Sequence, residues 1–267
     1  MLDMQIASQP EAGLERRFDG RVAILTMRHR PHNLLDPGLS LLIVDGLRWA
    51  AAEGARAVVL RSALRHFSAG ADLDAMVAAA DGGDGVIEWP MLEVLRAFEE
   101  LPVPIVVAVH GVCVGGGLEL ALACDLVVAA ESATLGSVEA AVGLHPLMGA
   151  IQRVAQRAGA ARAKEMAMLA RRYDARTLER WNVINRVVED EQLDAAAMTL
   201  ARELAGGPTV AHAATKALVS IAVNRGVGAA DEAMTELQKP SFRSEDFRAG
   251  VESIQSNGPG MARFQGR

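Results

Sequence analysis

The run Ile105-Val106-Val107-Ala108-Val109 has no polar residue on either of its alternating faces. A strand that is apolar on both faces must be covered on both, which is the situation of a strand inside a parallel sheet flanked by helices. Ala57-Val58-Val59-Leu60 has the same character, and Asp125 to Ala129 is close to it. Helix-length segments separate these runs, so the first half reads as short buried strands alternating with helices, an α/β class. Ahead of them, Leu14 to Met27 suits a hairpin in which Asp19-Gly20 turns into a strand over Arg21 to Met27. Asp36 before Pro37 predicts an N-cap followed by a first-turn proline. The helix it opens should run to Glu53 and bury Leu39, Leu42, Ile43, Leu47 and Ala50. Residues 1–13 show no periodicity and read as a loose leader. A Gly- and Asp-rich tract, Asp81 to Gly85, precedes a helix expected over Val86 to Leu101. From Met148 onward helices dominate, four of them over 190–205, 208–224, 227–239 and 244–256. Their breaks are Gly206-Gly207-Pro208, Gly226 and Lys239-Pro240.

Composition narrows the function classes. The 267 residues, 51% of them apolar, suit one large α/β domain, alone or with a smaller appendage. Lys plus Arg number 27 against 33 Asp plus Glu, a net charge of −6 that argues against a nucleic-acid partner while leaving room for a local basic pocket. Cys113 and Cys124 both sit in apolar stretches and are expected to be reduced and buried. Neither they nor the six histidines have metal-ligand spacing, so no metal is expected. The longest apolar run, Ile105 to Val114, is interrupted by His110 and Gly111 and is too short to span a bilayer. With no leader of the charged-then-apolar type at its start, the chain is expected to be soluble and cytoplasmic, with no membrane partner.

Three features could carry chemistry. Gly115-Gly116-Gly117 lies between an apolar strand and a helix, where backbone can approach a ligand and unpaired N–H groups face outward, as stabilising an oxyanion requires. The run is not a dinucleotide fingerprint, because Leu120 stands where G-x-G-x-x-G needs its last glycine. His66-Phe67-Ser68-Ala69-Gly70-Ala71-Asp72-Leu73 follows the strand Ala57 to Leu60 and reads either as a second source of exposed N–H groups or as an ordinary loop with Asp72 as a helix cap. Two carboxylates complete the set. Glu119 stands in the first turn of a helix among Leu118, Leu120, Ala121, Leu122 and Ala123, where a charge is costly unless used. Glu139 lies in the largely uncharged Gly136 to Gly143. Two backbone donors and two carboxylates suffice to stabilise a thioester enolate while moving protons beside it.

In these segments the chain resembles the crotonase superfamily of enoyl-CoA hydratases and isomerases, from about Val22 to the C-terminus. The resemblance is carried by Arg30-Pro31 with Asn33-Leu34-Leu35, by Phe67 to Leu73, and by Pro104 to Asp125. It implies a spiral of ββα units over about 14–200 and a helical part over 201–267 used for trimer contacts, with trimers pairing into hexamers. It further implies that the N–H groups of Ala71 and Gly116 form the oxyanion hole, that Glu119 activates water, and that Glu139 delivers a proton to the α-carbon. Arg30, Ala69, Gly70, Asp72, Leu73, Gly115, Pro146 and Leu147 would line the acyl-CoA site. The reaction implied is addition of water across the 2,3-double bond, with no cofactor besides the coenzyme A of the substrate itself.

The chain departs from the family pattern in places. Hydratases usually continue with Gly-Gly after a Pro-Gly step, whereas here Leu147 and Met148 add bulk where small residues flank the catalytic water. That leaves open isomerisation, hydrolysis, decarboxylation, C–C cleavage or plain acyl-CoA binding. Asp74 and Asn257 replace basic residues that relatives hold near the CoA phosphates, for which Arg28, Arg30, Arg243 or Arg248 could compensate. Trp181 stands where relatives have glycine. His145 reads as a third acid–base group or, more simply, as a loop histidine bonded to backbone.

Overall fold

The computed structural model describes residues 10–11, 13–81, 89–258 and 260–267. Its main sheet has seven strands: β1 (Pro10–Glu11), β2 (Leu14–Asp19), β3 (Val22–Met27), β4 (Ala57–Ser62), β5 (Ile105–Val109), β7 (Leu126–Ala130) and β10 (Arg186–Val188), hydrogen-bonded in that order. A second, three-stranded sheet takes β6 (Val112–Val114), β8 (Thr134–Gly136) and β9 (Tyr173–Asp174). β1 to β3 pair antiparallel at the edge. From β3 through β10 the pairing is parallel.

The helices are α1 (Pro37–Ala52), α2 (Leu73–Asp81), α3 (Met91–Glu100), α4 (Gly116–Ala123), α5 (Ala150–Ala158), α6 (Ala160–Leu169), α7 (Ala175–Arg180), α8 (Leu193–Gly206), α9 (Thr209–Arg225), α10 (Val227–Arg243) and α11 (Glu245–Asn257). Every residue of β3 and β5 is buried, as runs apolar on both faces require, because α8 lies along β3, β4, β5 and β7. α8 crosses residue 200 and buries Leu193, Ala197, Met198, Ala201 and Ala205 in this core.

The repeat that positions the site is two strands and a helix. β5, β6 and α4 make one turn, and β7, β8 and α5 the next, each placing its first strand in the large sheet and its second in the small one. Two earlier turns follow the same path with the second strand reduced to single bridges. Leu35 pairs with Ala71, and Ser68 pairs with Cys113. The ladder continues from β6 to β8. Consequently Leu35, Ala71, Gly115–Gly116 and Ser137, which are scattered over a hundred residues of sequence, come to lie side by side.

Most sequence expectations map onto this architecture. Asp36 caps α1 through a 2.7 Å bond from the Leu39 N–H, with Pro37 in the first turn, and Leu39, Ile43, Leu47 and Ala50 are buried while Leu42 is half-buried. Both cysteines are free and buried, and burial pushes their thiols up, so they stay protonated. Three corrections are needed. Pro10–Glu11 do not belong to a loose leader but add a strand to β2; residues 1–9 and 12 lie outside the described residues. α3 starts at Met91, behind Pro90, a residue that disfavours helix before itself; Val86 to Glu88, like residues 82–85, lie outside the described residues. α10 passes through Pro240 to Arg243, because its exposed position leaves the carbonyl that loses a bond open to water. The short strands β9 and β10 carry too few residues to show a period.

The C-terminal residues pack back on the body. Arg56, 6% exposed, donates to Thr209 Oγ1 at 2.9 Å, to the Phe264 carbonyl at 3.0 Å and to the Gly207 carbonyl. Asp246 receives the N–H groups of Gln265 and Gly266. Among the described residues no helix is long and apolar enough to cross a membrane.

Candidate active site

The four turns end around a cavity of about 380 Å³. Its floor is backbone. Asn33, wholly buried, ties the first two turns together: its side-chain amide donates to the Phe67 carbonyl at 2.9 Å and to Ser62 Oγ at 2.8 Å, while Oδ1 accepts from the His29 N–H. Ser68 Oγ returns a bond to the Asn33 carbonyl and accepts from the Gly70 N–H. Leu35 then receives the Asp72 N–H on its carbonyl and gives its own N–H to Gly70. In a parallel bridge of this register the N–H of Ala71 points away from Leu35, toward the third turn. A methyl group built on Gly116 would lie 3.7 Å from the Ala71 nitrogen. Gly116 opens α4, so its N–H has no partner within the helix. Among the described residues neither N–H donates to any other group.

Two glycines here have no substitute. Gly115 adopts φ +53°, ψ −128°, which L side chains avoid. Gly117 meets the second turn: a Cβ there would stand 2.7 Å from Ser68 Cβ and 2.8 Å from the Ser68 carbonyl oxygen. The third turn can approach the second only because that position has no side chain.

Glu119 and Glu139 both line the cavity. Glu119 is 4% exposed, and its Oε1 accepts the Met148 N–H at 2.6 Å and the Ala150 N–H at 3.4 Å. Burial pushes its carboxyl up to about 7; the Met148 amide opposes this, the charge of Glu139 adds to it, and Ala150 and Arg153 oppose it. Glu139 begins a 3-10 turn, Glu139–Val142, and its Oε2 accepts from Ser137 Oγ at 2.6 Å. Its Oε1 is buried without a partner and lies 3.6 Å from where a Gly115 Cβ would be. Each acid is therefore anchored through one oxygen, and the other oxygen has no hydrogen-bond partner among the described residues.

Of the other residues singled out in the sequence, Ala69, Gly70, Asp72, Leu73, Gly115 and Leu147 line the cavity. The Asp72 carboxylate caps α2 through the Ala75 N–H at 3.0 Å, so its part is to hold the loop. Arg30 and Pro146 are not among the residues that line the cavity. The Asn33 N–H bonds the His29 carbonyl and Asn33 Oδ1 takes the His29 N–H, closing a tight turn that leaves Arg30 on the surface. Pro146 lies where the chain reverses to bring Met148 onto Glu119, and its carbonyl meets His145 Nδ1 at 2.8 Å. That contact makes His145 an exposed loop histidine bonded to backbone. Trp181 packs on Tyr173, ring centroids 4.8 Å apart, beneath the Arg162 guanidinium at 4.3 Å, which accounts for its bulk away from the cavity. Arg28 is paired with Glu15 at 2.7 Å.

Sequence reasoning missed the apolar wall, made by Leu34, Met76, Trp89, Met91, Val142 and Leu144, and the anchoring roles of Ser137 and the Met148 amide. A serine two residues before a lone acid was the available signal for the first anchor; the amide had none. Among the described residues the charged side chains that line the cavity are all acids: Asp72, Asp74, Glu119 and Glu139. Among the described residues no group of three His, Cys, Asp or Glu side chains is placed to hold a metal ion.

The family model described as enoyl-CoA hydratase/isomerase matches residues 17–258. The chain is 31% identical over 247 residues to the "probable enoyl-CoA hydratase" of Rhodobacter capsulatus, covering 92% of this chain and 95% of that protein. It is 34% identical over 204 residues to the 1,2-epoxyphenylacetyl-CoA isomerase of Escherichia coli, covering 74% and 78%. A crystal structure of enoyl-CoA hydratase subunit I from Geobacillus kaustophilus superposes with a TM-score of 0.87 at 29% identity, over 96% of this chain and 99% of that one.

Proposed function

Because this chain belongs to the enoyl-CoA hydratase/isomerase family, we propose that it is a lyase that adds water across the 2,3-double bond of an acyl-CoA thioester. The observation that carries this reading is the pair of acids lining one cavity, each anchored through one oxygen with the other oxygen unbonded, beside two amides that have no partner among the described residues. The thioester carbonyl sits against the N–H groups of Ala71 and Gly116, which bind the enolate oxygen more strongly than the neutral carbonyl and so lower the barrier. Glu119, as the carboxylate, takes a proton from water while the water oxygen bonds to C3. The electron pair of the double bond moves toward the thioester as an enolate, and C2 then receives a proton from Glu139. The cycle leaves Glu119 protonated and Glu139 ionised, and exchange with solvent restores both. Coenzyme A enters as part of the substrate, and no separate cofactor takes part in these steps.

Steady-state hydration of trans-2-enoyl-CoAs from four to ten carbons tests the proposal; folded protein that turns over none of them would overturn it. A second reading, double-bond isomerisation, draws support from Leu147 and Met148, which line the cavity where the water would stand. Under that reading one acid shuttles a proton, and Glu139→Gln would leave activity intact while Glu119→Gln abolished it.

The wall chemistry selects the acyl group. The apolar side chains and acids that line the cavity, with no cation among the described lining residues, favour an uncharged chain. A 2-enoyl-CoA ending in a carboxylate should show kcat/KM on the order of a hundredfold below its uncharged counterpart of equal length, since the charge is buried unpaired. Parallel kinetics on the two series measure the ratio.

The proposal includes a cytoplasmic homotrimer or dimer of trimers. Val219, Val223, Met234, Phe242, Phe247 and Ile254 are exposed along α9, α10 and α11, more apolar surface than an isolated helical arm usually leaves open. Sedimentation should give a mass three or six times that of the 28.2 kDa chain, and a monomer at micromolar concentration would contradict it.

A further inference from the structure

Ser137 lies between the end of β8 and the 3-10 turn that Glu139 begins. It is wholly buried and does not line the cavity, so it cannot touch a substrate. Its hydroxyl has one partner among the described residues, Glu139 Oε2, at 2.6 Å. The other carboxylate oxygen, Oε1, is buried with no partner and faces the Gly115 backbone beside the two free amides. A buried carboxylate oxygen without a donor is costly unless something occupies the space next to it. We propose that Ser137 is the positioning residue of Glu139, holding Oε2 so that Oε1 alone exchanges a proton with the α-carbon of the bound acyl chain.

The two anchors differ in kind, and the difference matches the two acids' tasks. Glu119 is held by backbone N–H groups, which only donate. A serine hydroxyl donates to a carboxylate and can also turn to accept from a carboxylic acid. Glu139 starts the reaction protonated and ends it ionised, and a hydroxyl partner keeps its carboxyl plane in place through both states. An amide in the same position would lose its bond whenever the proton sat on the anchored oxygen.

This inference rests on the reading of Glu139 as the proton donor to the α-carbon, so its test includes a readout that needs proton transfer but no hydration. That readout is exchange of the α-hydrogens of butyryl-CoA with deuterium oxide, followed by NMR or mass spectrometry. Ser137→Ala should lower both kcat for enoyl-CoA hydration and the α-exchange rate about 10- to 100-fold, the equivalent of one hydrogen bond to a charged group. KM, butyryl-CoA affinity by calorimetry and melting temperature should stay near wild type. Ser137→Thr, which keeps the hydroxyl, should recover most of the loss. Ser137→Ala with exchange and kcat within twofold of wild type would overturn the proposal. So would a parallel fall in affinity and melting temperature, or a Thr variant no better than Ala although folded and binding. If the wild-type protein exchanges α-hydrogens but hydrates nothing, the hydratase reading fails while Ser137 is still judged on exchange.

Discussion

Glu119→Gln should remove hydration activity, with kcat lower by about a thousandfold or more, and at the same time make the protein more stable above neutral pH. Both effects have one origin. Glu119 sits 4% exposed among the apolar residues of α4, and burial is the main reason its carboxyl is pushed from 4.5 up to about 7. The native state therefore holds a proton on Glu119 over a range in which the unfolded chain has released it. Its favourable contribution is complete below pH 4.5 and is lost as pH rises through about 7. Glutamine stays neutral and still offers an oxygen to the Met148 amide. At pH 8 the variant should gain on the order of 3 kcal/mol, and at pH 4.5 it should gain next to nothing. Urea denaturation at the two pH values measures this. For activity the sign is opposite. The base form is the ionised one, so the limb of wild-type kcat/KM set by Glu119 should rise with pH through about 7, because kcat/KM reports groups of the free protein. A variant that keeps more than a tenth of wild-type kcat would remove Glu119 from the mechanism.

Gly117→Ala should be nearly as damaging, although Gly117 contacts no substrate. The added methyl would stand 2.7 Å from Ser68 Cβ and 2.8 Å from the Ser68 carbonyl oxygen. Ser68 cannot give way cheaply. Its N–H bonds Val112, its carbonyl accepts from Val114, and its hydroxyl is committed to Asn33. The whole loop from Ser68 to Ala71 would have to move away from α4, and the Ala71 N–H would move with it. Loss of alignment at one oxyanion donor corresponds to about 100- to 1000-fold in kcat. Overpacking should cost a further 1–3 kcal/mol or so of stability, a fall in Tm of roughly 2–12 °C for a chain of this length. Gly228→Ala is the control. It lies in α10 with open space around it, and should leave kcat unchanged and Tm level or slightly raised. Gly117→Ala with wild-type kinetics would mean that the register between the second and third turns does not set the oxyanion geometry.

Much of this molecule could be read along the chain because the relevant forces are local. Ile105 to Val109 had to be buried on both faces whatever surrounded it, and it became an inner strand of the parallel sheet. Asp36 and Pro37 set the start of α1 through an N-cap bond that spans three residues. Glu119 stood out because every neighbour on its helix is apolar. Where local signals were weak or misleading, the reading failed. Lys239-Pro240 looked like a break, but an exposed helix lost one bond and continued.

Which chemistry is available follows from the order of residues along the chain: two acids in apolar settings, a glycine-rich entry to α4, and a small-residue loop after β4. What those groups can do depends on how the fold brings distant segments together. Ala71 and Gly116 become neighbours through bridges between successive turns, and no pattern within either segment encodes that register. Which oxygen of each acid is free depends on Ser137 and on an amide 29 residues beyond Glu119. The position of Glu119 near pH 7 comes from water excluded by walls drawn from four turns of the spiral. Secondary structure follows from contacts a few residues apart, whereas desolvation and donor geometry depend on whatever the rest of the chain brings close.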